Sequence, residues 1–208
     1  MPTARVILFA LLASLAGAPL SAEESALPPA CRTDCVATFG SVLGRSPAGV
    51  EAYSNCSARC VLPRPNRLDG TYTGIQWQCV EYARRWLLAR HGVVFGDVDV
   101  AADIWTRIDS VQRVADGAEF PLRAFLNGAD SAPEVGDLLV YGRDYLRTGH
   151  VAIVTRRLAD GVEVAEQNYL NQPWPADHAR RIELIEHGGR WWLLDPYLIG
   201  WKRPELQP

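Results

Sequence analysis

The sequence predicts an α+β fold in which an early helix packs on a later antiparallel sheet. The segment Cys79–His91 has apolar residues at helical spacing and is followed by Gly92, a typical helix C-cap. The second half of the chain instead contains short apolar or alternating runs bounded by Gly, Asp and Pro. Because the helix precedes the strands rather than alternating with them, the two segregate as in α+β proteins.

The size and composition favour one main domain with a small appendage. The chain has 208 residues, of which 48% are hydrophobic, in the ordinary range for a globular protein. Its formal net charge is −3 and the Lys and Arg residues form no dense block. Nothing in this charge distribution would attract a phosphate backbone, so we expect no nucleic-acid partner.

The first residues predict a secretory signal peptide over residues 1–22. Arg5 precedes an apolar run at 6–17 that is too short to span a bilayer, and Ala22 is a small residue followed by two acidic ones. The alternative is an uncleaved membrane anchor or a buried helix. We expect cleavage after Ala22 and a periplasmic or secreted protein that does not insert stably into a membrane once the signal is removed.

Four of the five cysteines form a set in the segment 23–62. Cys31 and Cys35 are four residues apart, as are Cys56 and Cys60, and this spacing places each pair on one face of a helix. We therefore predict two antiparallel helices joined around Gly44, the second starting at Ser46-Pro47. Such a hairpin would bring together Cys31 with Cys60 and Cys35 with Cys56.

A four-thiolate zinc site is the alternative for these cysteines. Structural zinc pairs usually have tighter turns, and an exported chain meets oxidising conditions, so disulfides are favoured and no metal is expected. The hairpin has almost no core of its own, and two bridges would offset that deficit. Cys79 is then the unpaired thiol.

The main domain is expected to span 63–208. Pro and Gly residues predict linker and turn over 62–72, and the spacing of Ala101, Ile104, Trp105 and Ile108 predicts a second helix over 98–114. The predicted strands are 137–141, 150–155, 162–167 and 191–194. Asp160-Gly161 predicts a hairpin between the second and third of them.

The candidate chemistry rests on Cys79 and His150. A helix N-terminus and a nearby imidazolium both favour a thiolate, which is the nucleophilic form of cysteine. His150 opens an apolar strand, where it could take the thiol proton and return it to a leaving amine. Glu166, at the end of the next strand, is the predicted acceptor that orients the imidazole, and Asn168 lies on the same face of that strand.

This pairing requires an irregular hairpin. A tight turn at Asp160-Gly161 would place His150 opposite a residue several positions beyond Glu166. A longer loop around Leu158 or a β-bulge is therefore predicted.

Cys79 and His150 can also be interpreted as residues without a catalytic role. A lone cysteine is usually a small buried hydrophobe, and a lone histidine is usually a satisfied surface or core residue. The rival histidines, His91, His178 and His187, do not open a core strand.

Three motifs resemble the CHAP cysteine amidase family. They are Trp-Gln-Cys-Val-Glu-Tyr-Ala-Arg-Arg-Trp-Leu at 77–87, Thr-Gly-His-Val-Ala-Ile at 148–153 and Ala-Glu-Gln-Asn at 165–168. Within that family, the amidase domains of glutathionylspermidine synthetase/amidase and trypanothione synthetase are most similar. The resemblance covers about 70–201, nearly the whole predicted main domain.

The resemblance implies a papain-like fold and amide hydrolysis through a thioester, without a metal or organic cofactor. It implies that Cys79 is the nucleophile, His150 the general base and acid, and Glu166 the orienting residue. It further implies that Arg84 helps to bind substrate and that Asn168 is a polar residue beside the triad. Thr73 stands where papain-type enzymes have a glutamine, so the Cys79 amide with Gln76 or Gln78 is expected to bind the oxyanion.

Three functions follow as hypotheses. The first is an exported amidase acting on peptides of peptidoglycan. The second is an amidase acting on glutathione-polyamine conjugates, although the predicted export, the missing synthetase domain and the disulfide hairpin depart from that enzyme. The third is a non-catalytic binding module. The segment 23–62 is also expected to contact a partner, or to cover the cleft until it is moved.

Overall fold

The computed structural model describes residues 27–206, so the predicted signal peptide at 1–22 lies outside the described residues. Within 27–206, no helix is long and apolar enough to cross a membrane. After a 3-10 turn at Pro29–Cys31, the elements are β1 (Val42–Arg45), β2 (Glu51–Tyr53), β3 (Pro65–Leu68), β4 (Thr71–Ile75), α1 (Cys79–His91), β5 (Val93–Phe95), α2 (Asp103–Arg107), β6 (Ser110–Arg113), β7 (Glu119–Leu126), β8 (Leu138–Tyr141), β9 (His150–Arg157), β10 (Gly161–Ala165), β11 (Arg180–His187), β12 (Arg190–Leu193) and β13 (Leu198–Pro204).

The main sheet has nine antiparallel strands, and α1 packs on it, as the α+β prediction required. The strand order is β12-β11-β10-β9-β8-β13-β7-β6-β5. Helix α1 contacts β9 near the middle of this order and also β3, β4 and β5. The predicted helix over Cys79–His91 is confirmed, and Gly92 ends it in the left-handed conformation with φ 67°.

The central strands bury both of their faces. Leu138, Val140 and Ile153 belong to the hydrophobic cluster that includes Trp86 of α1. Their neighbours along β8 and β9, such as Leu139 and Ala152, belong to a second cluster around Trp201. Successive side chains of a strand point to opposite faces, so the near-continuous apolar runs at 138–141 and 150–154 serve two cores.

The predicted disulfide pairing is confirmed, but the predicted helices are wrong. Cys31 is bonded to Cys60 and Cys35 to Cys56. Between them, β1 and β2 form an antiparallel β-hairpin. Pairs of residues four apart suit a helix face, but here the cysteines lie in turns and irregular chain on either side of the β-hairpin.

The turn of this hairpin explains why no helix starts at Ser46-Pro47. The amide of Gly49 donates to the carbonyl of Ser46 at 2.8 Å, which closes a β-turn over 46–49. Proline at the second position and glycine at the fourth are typical of a type I turn. Gly44, predicted to end a helix, lies inside β1, where an added Cβ would come within 2.5 Å of the Trp174 ring.

Two other predicted segments also differ from the structure. The 62–72 linker contains the β3–β4 hairpin, whose turn is the predicted Asp69-Gly70, with φ 48° and 83°. The predicted helix over 98–114 is limited to α2, because Ile108 is extended and β6 follows. The boundary near residue 63 stays a prediction.

The β9–β10 hairpin has the irregularity that the sequence predicted. The amide of Leu158 donates to the carbonyl of Gly161 at 2.8 Å, so the loop spans 158–161. The register then shifts between Glu163 and Val164, which pair with Arg156 and Val154 and leave Thr155 as the extra residue. This bulge moves the end of β10 towards the start of β9.

Candidate active site

Cys79 is the first residue of α1 and the free cysteine of the chain. Its backbone follows Gln78, which is extended at the N-cap position. Burial works against ionisation of the thiol, but the charge and hydrogen bond of His150, with the backbone amides of Val151 and Val80, hold the pKa of Cys79 below its ordinary value. The positive end of the helix dipole acts in the same direction.

His150 begins β9 and is almost fully buried. Its Nε2 atom lies 2.8 Å from Oε2 of Glu166, which leaves Nδ1 as the ring nitrogen available to Cys79. Burial alone would favour the neutral ring, but the Cys79 thiolate and the Glu166 carboxylate raise the pKa of His150 to about 9. The arrangement therefore favours a thiolate-imidazolium pair.

Glu166 directly follows β10 and is buried. Burial would raise the pKa of this carboxyl, but His150 and Arg180 lower it below its ordinary value. Arg180 donates from Nε to Oε1 of Glu166 at 2.6 Å. Glu166 thus remains ionised between two cationic groups.

Arg180 is the main site residue that the sequence analysis missed. It also donates to Asp195 at 2.6 Å and to the hydroxyl of Tyr141 at 3.0 Å, and it lies 4.4 Å from the centre of the Tyr169 ring. Since Arg180 begins β11 opposite Val164 of β10, strand pairing brings it to Glu166. The available signal was indirect, because a buried carboxylate beside a histidine calls for a second cation.

Asn168 and Gln78 are hydrogen-bonded to each other beside Cys79. The side-chain amide of Asn168 donates to Oε1 of Gln78 at 2.8 Å, and Gln78 donates from Nε2 to the carbonyl of Cys60 at 3.0 Å. Both residues line the same cleft as Cys79 and His150. Gln76, the other expected oxyanion donor, is not among the residues that line this cleft.

Arg84 lies behind the cleft rather than in its lining. It is 6% exposed, donates to the carbonyl of Tyr72 at 3.0 Å and has Nη1 3.5 Å from Oδ1 of Asp97. Tyr72 and Asp97 do line the cleft. Arg84 can therefore position Tyr72 and Asp97, which line the cleft, and its own substrate-binding role stays a prediction.

A buried polar network anchors α1 beneath the candidate nucleophile, and the sequence analysis missed it. Glu81 is fully buried and pairs with Arg85 at 2.7 Å. It also accepts hydrogen bonds from Thr73 at 3.0 Å and Gln167 at 3.1 Å. The side-chain oxygen of Gln167 accepts from the amide of Tyr53 in β2, so the network ties the disulfide-linked segment to α1.

The cleft above Cys79 has a volume of about 520 Å³. Its lining comes from the segments 58–61, 72–81, 97–101 and 145–150, together with Asn168. Two exposed carboxylates, Asp97 and Asp99, and one guanidinium, Arg59, belong to this lining. The cleft therefore presents both signs of charge near the thiol.

One group of possible metal ligands exists among residues 27–206, away from this cleft. Glu163, Asp177 and His178 have ligand atoms within 4.8 Å of one another. Arg156 already pairs with Glu163 and, at 3.0 Å, with Asp177. The group is therefore a surface ion-pair cluster, in which the arginine neutralises the carboxylates.

A thiol at a helix start, packed against an imidazole on an antiparallel sheet, defines the papain-like class of cysteine hydrolases. Comparison with known families agrees, since residues 70–168 match the model of the CHAP domain. This chain therefore carries a CHAP domain.

Three relatives are similar over about three quarters of the chain. The bifunctional glutathionylspermidine synthetase/amidase of Escherichia coli (strain K12) is 36% identical over 181 residues, covering 79% of this chain and 29% of that protein. The trypanothione synthetase of Crithidia fasciculata is 35% identical over 158 residues, or 76% and 24%. The glutathionylspermidine synthase of the same organism is 33% identical over 187 residues, or 78% and 26%. The chain spans less than a third of the length of these relatives.

Proposed function

We propose that this protein is an exported thiol amidase that hydrolyses amide bonds in the peptides of peptidoglycan. The observation that carries the amidase part is the position of His150, whose ring hydrogen-bonds to Glu166 and acts on Cys79 to lower the thiol pKa. Cys79, His150 and Glu166 are the proposed catalytic set. An acyl-transfer reaction of this kind needs a nucleophile, a base and an orienting carboxylate, and these three side chains can supply them.

In the first half of the reaction, the Cys79 thiolate attacks the amide carbon. A carbon-sulfur bond forms, and the carbonyl electron pair moves to oxygen. The amide of Cys79 is among the donors that a helix start leaves without an intrahelical partner, so it is suited to bind this oxyanion. The His150 imidazolium then gives its proton to the nitrogen as the carbon-nitrogen bond breaks, which releases the amine and leaves a thioester.

In the second half, water attacks the thioester while neutral His150 takes a proton from it. The carbon-sulfur bond breaks, the carboxylic acid leaves, and the thiolate-imidazolium pair is restored. Glu166 keeps the imidazole oriented and stabilises its positive charge in both halves.

The two disulfides support the export part of the proposal. Such bonds persist in oxidising compartments and are rare in the reducing cytosol. The composition of residues 1–22 agrees with a signal peptide. A peptide polymer outside the cytosol is then the amide-rich substrate that such an enzyme meets.

The test is incubation of the mature protein with a panel of muropeptides, followed by mass spectrometry of the products. We expect new amine termini with the wild type and none with Cys79→Ala, whereas Glu163→Gln, outside the cleft, should retain cleavage. No cleavage of any muropeptide would contradict the peptidoglycan assignment. Cell fractionation and the mass of the mature N-terminus test export, and a cytosolic protein that begins at Met1 would contradict it.

A second candidate substrate is a glutathione-polyamine conjugate. Asp97 and Asp99 in the cleft lining favour a cationic amine chain, and two of the relatives carry glutathionylspermidine in their names. Turnover of glutathionylspermidine and of muropeptides by the same preparation separates the two candidates. If Asp97→Asn and Asp99→Asn leave KM for the conjugate unchanged, these carboxylates do not bind the polyamine.

A further inference from the structure

The disulfide-linked segment contributes part of the cleft wall. Ala58, Arg59 and Val61 line the cavity that contains Cys79 and His150. These residues precede the CHAP match, which begins at residue 70. The segment thus places side chains beside the candidate nucleophile, in addition to packing against α1.

The backbone turn that carries Arg59 is held in place by hydrogen bonds and a disulfide. The amide of Cys60 donates to the carbonyl of Ser57 at 3.0 Å, which closes a turn around Arg59. The carbonyl of Cys60 accepts hydrogen bonds from the side chains of Asn55 at 2.7 Å and Gln78 at 3.0 Å. The sulfur of Cys60 is bonded to that of Cys31. Because Gln78 is the N-cap of α1, the turn is anchored directly to the residue before the nucleophile.

Asn55 strengthens this anchor. It is fully buried, and its Oδ1 atom accepts from the amide of Trp77 at 3.2 Å. One side chain therefore connects the turn that carries Arg59 with the loop that leads into Cys79. The position of the Arg59 backbone relative to the nucleophile is set by buried hydrogen bonds and a covalent bond.

The guanidinium of Arg59 has no partner among residues 27–206. It forms no ion pair with any of the described carboxylates and donates no hydrogen bond to them, and its side chain is exposed in the cleft. Apart from His150, it is the basic residue of the cleft lining. An unpaired arginine that is carried by an anchored turn and lines a substrate cavity is suited to bind a carboxylate through two parallel hydrogen bonds.

We propose that Arg59 binds a free carboxylate of the substrate and selects for amides that carry one. This inference rests on the proposed amidase function and names the substrate class of the same site. Peptidoglycan stem peptides and glutathione conjugates both carry free carboxylates, so the shared chemistry is a free carboxylate on the acyl part of the substrate. Asp97 and Asp99 offer the opposite charge in the same cleft, which suits a substrate that also carries an amine.

The experiment compares matched substrates that differ in one group. Muropeptides and glutathionylspermidine are each prepared with their carboxylates free or converted to carboxamides, and kcat/KM is measured for each pair. We expect the wild type to prefer the free acid of the substrate that it cleaves. In Arg59→Gln, the ratio of kcat/KM for acid over amide should fall about tenfold, in line with the loss of one charge-assisted hydrogen bond, mainly through KM.

The matched control is Arg64→Gln, which removes the same charge five positions further along the chain, at an exposed arginine outside the cleft lining. It should leave the acid-to-amide ratio unchanged, because an exposed charge beyond the cleft is screened by salt. Arg59→Lys should restore part of the preference, since it keeps the charge but loses the planar fork.

A binding measurement separates this inference from the amidase proposal. Calorimetric titration of Cys79→Ala with the same acid and amide ligands measures recognition without chemistry. Suppose that the wild type turns over neither substrate, while Cys79→Ala still binds the acid more tightly than the amide and loses this difference when Arg59→Gln is added. In that case the carboxylate site stands and the amidase proposal fails. If acids and amides bind and react alike, or Arg59→Gln and Arg64→Gln behave alike, the carboxylate site is refuted.

Discussion

The Nε2 atom of His150 lies 2.8 Å from Oε2 of Glu166, and Oε1 of the same carboxylate accepts a 2.6 Å hydrogen bond from Arg180. The carboxylate is thus held from two sides. Its interaction with Nε2 leaves Nδ1 as the ring nitrogen that is directed towards Cys79. A ring oriented in this way needs no rearrangement before it can transfer a proton.

The first prediction concerns pH. The pKa of Cys79 lies below its ordinary value, so the thiolate is present above that lowered pKa, and the pKa of His150 is about 9, so the imidazolium persists up to that pH. The midpoint for alkylation of Cys79 by iodoacetamide should lie below the ordinary thiol pKa, and amide turnover should fall above about pH 9 as His150 loses its proton. An alkylation midpoint near the ordinary thiol pKa of about 8.5 would contradict the ion pair.

The second prediction concerns Glu166→Gln. Loss of the carboxylate removes an interaction that raises the pKa of His150, so the alkaline limb of the pH profile should move to lower pH. Turnover should fall roughly 100-fold, in the range attributed to general acid-base catalysis. Glu163→Gln, in strand β10 just before Glu166 but outside the cleft lining, is the control and should change neither. An unshifted alkaline limb in Glu166→Gln would exclude the orienting role.

The third prediction concerns the buried pair of Glu81 and Arg85. Arg85→Met leaves the fully buried carboxylate with neutral donors only, and breaking a buried pair in this way costs about 3–5 kcal/mol. Urea unfolding should show this loss. Arg113→Met breaks an exposed pair with Asp116 and should leave the unfolding midpoint almost unchanged. Equal effects of the two variants would contradict the stabilising role of the buried pair.

The fourth prediction compares two glycines. Gly149 and Gly70 both have positive φ, 71° and 83°, but an added Cβ at Gly149 would lie 2.4 Å from the carbonyl oxygen of Tyr141, whereas Gly70 has open space. Gly149→Ala should therefore destabilise the protein by about 1–3 kcal/mol more than Gly70→Ala, the usual cost of overpacking. It should also lower turnover, since residue 149 precedes His150. Equal unfolding midpoints for the two variants would show that the loop at 149 yields easily.

The site elements that could be predicted from the sequence are those with local signals. Helix periodicity and the C-cap at Gly92 placed Cys79 at a helix start, and an apolar run placed His150 at a strand start. The bulge between His150 and Glu166 was predictable because a strand register is set by the turn and by the residues that must meet. These signals operate within a dozen residues of the chain.

The remaining features depend on contacts between distant segments. Arg180 reaches Glu166 through the pairing of β10 with β11, and the alternation of buried Ile182 and Leu184 in β11 is obscured by charged neighbours. Likewise, the cysteine spacing at 31–60 is compatible with helices or with irregular chain around a β-hairpin, and β1 of that hairpin packs against the distant Trp174 at Gly44. Local propensity cannot supply such information.

The nested connectivity of the disulfides has a consequence for maturation. Pairing consecutive cysteines as they emerge would join Cys31 to Cys35 and Cys56 to Cys60, which is not the native pattern. The β1–β2 hairpin lies inside both native loops, so its formation brings the inner cysteines together and shortens the loop that the outer pair must close. The short hairpin therefore favours the native pairing, and Cys79 lies outside both disulfide loops and stays unpaired.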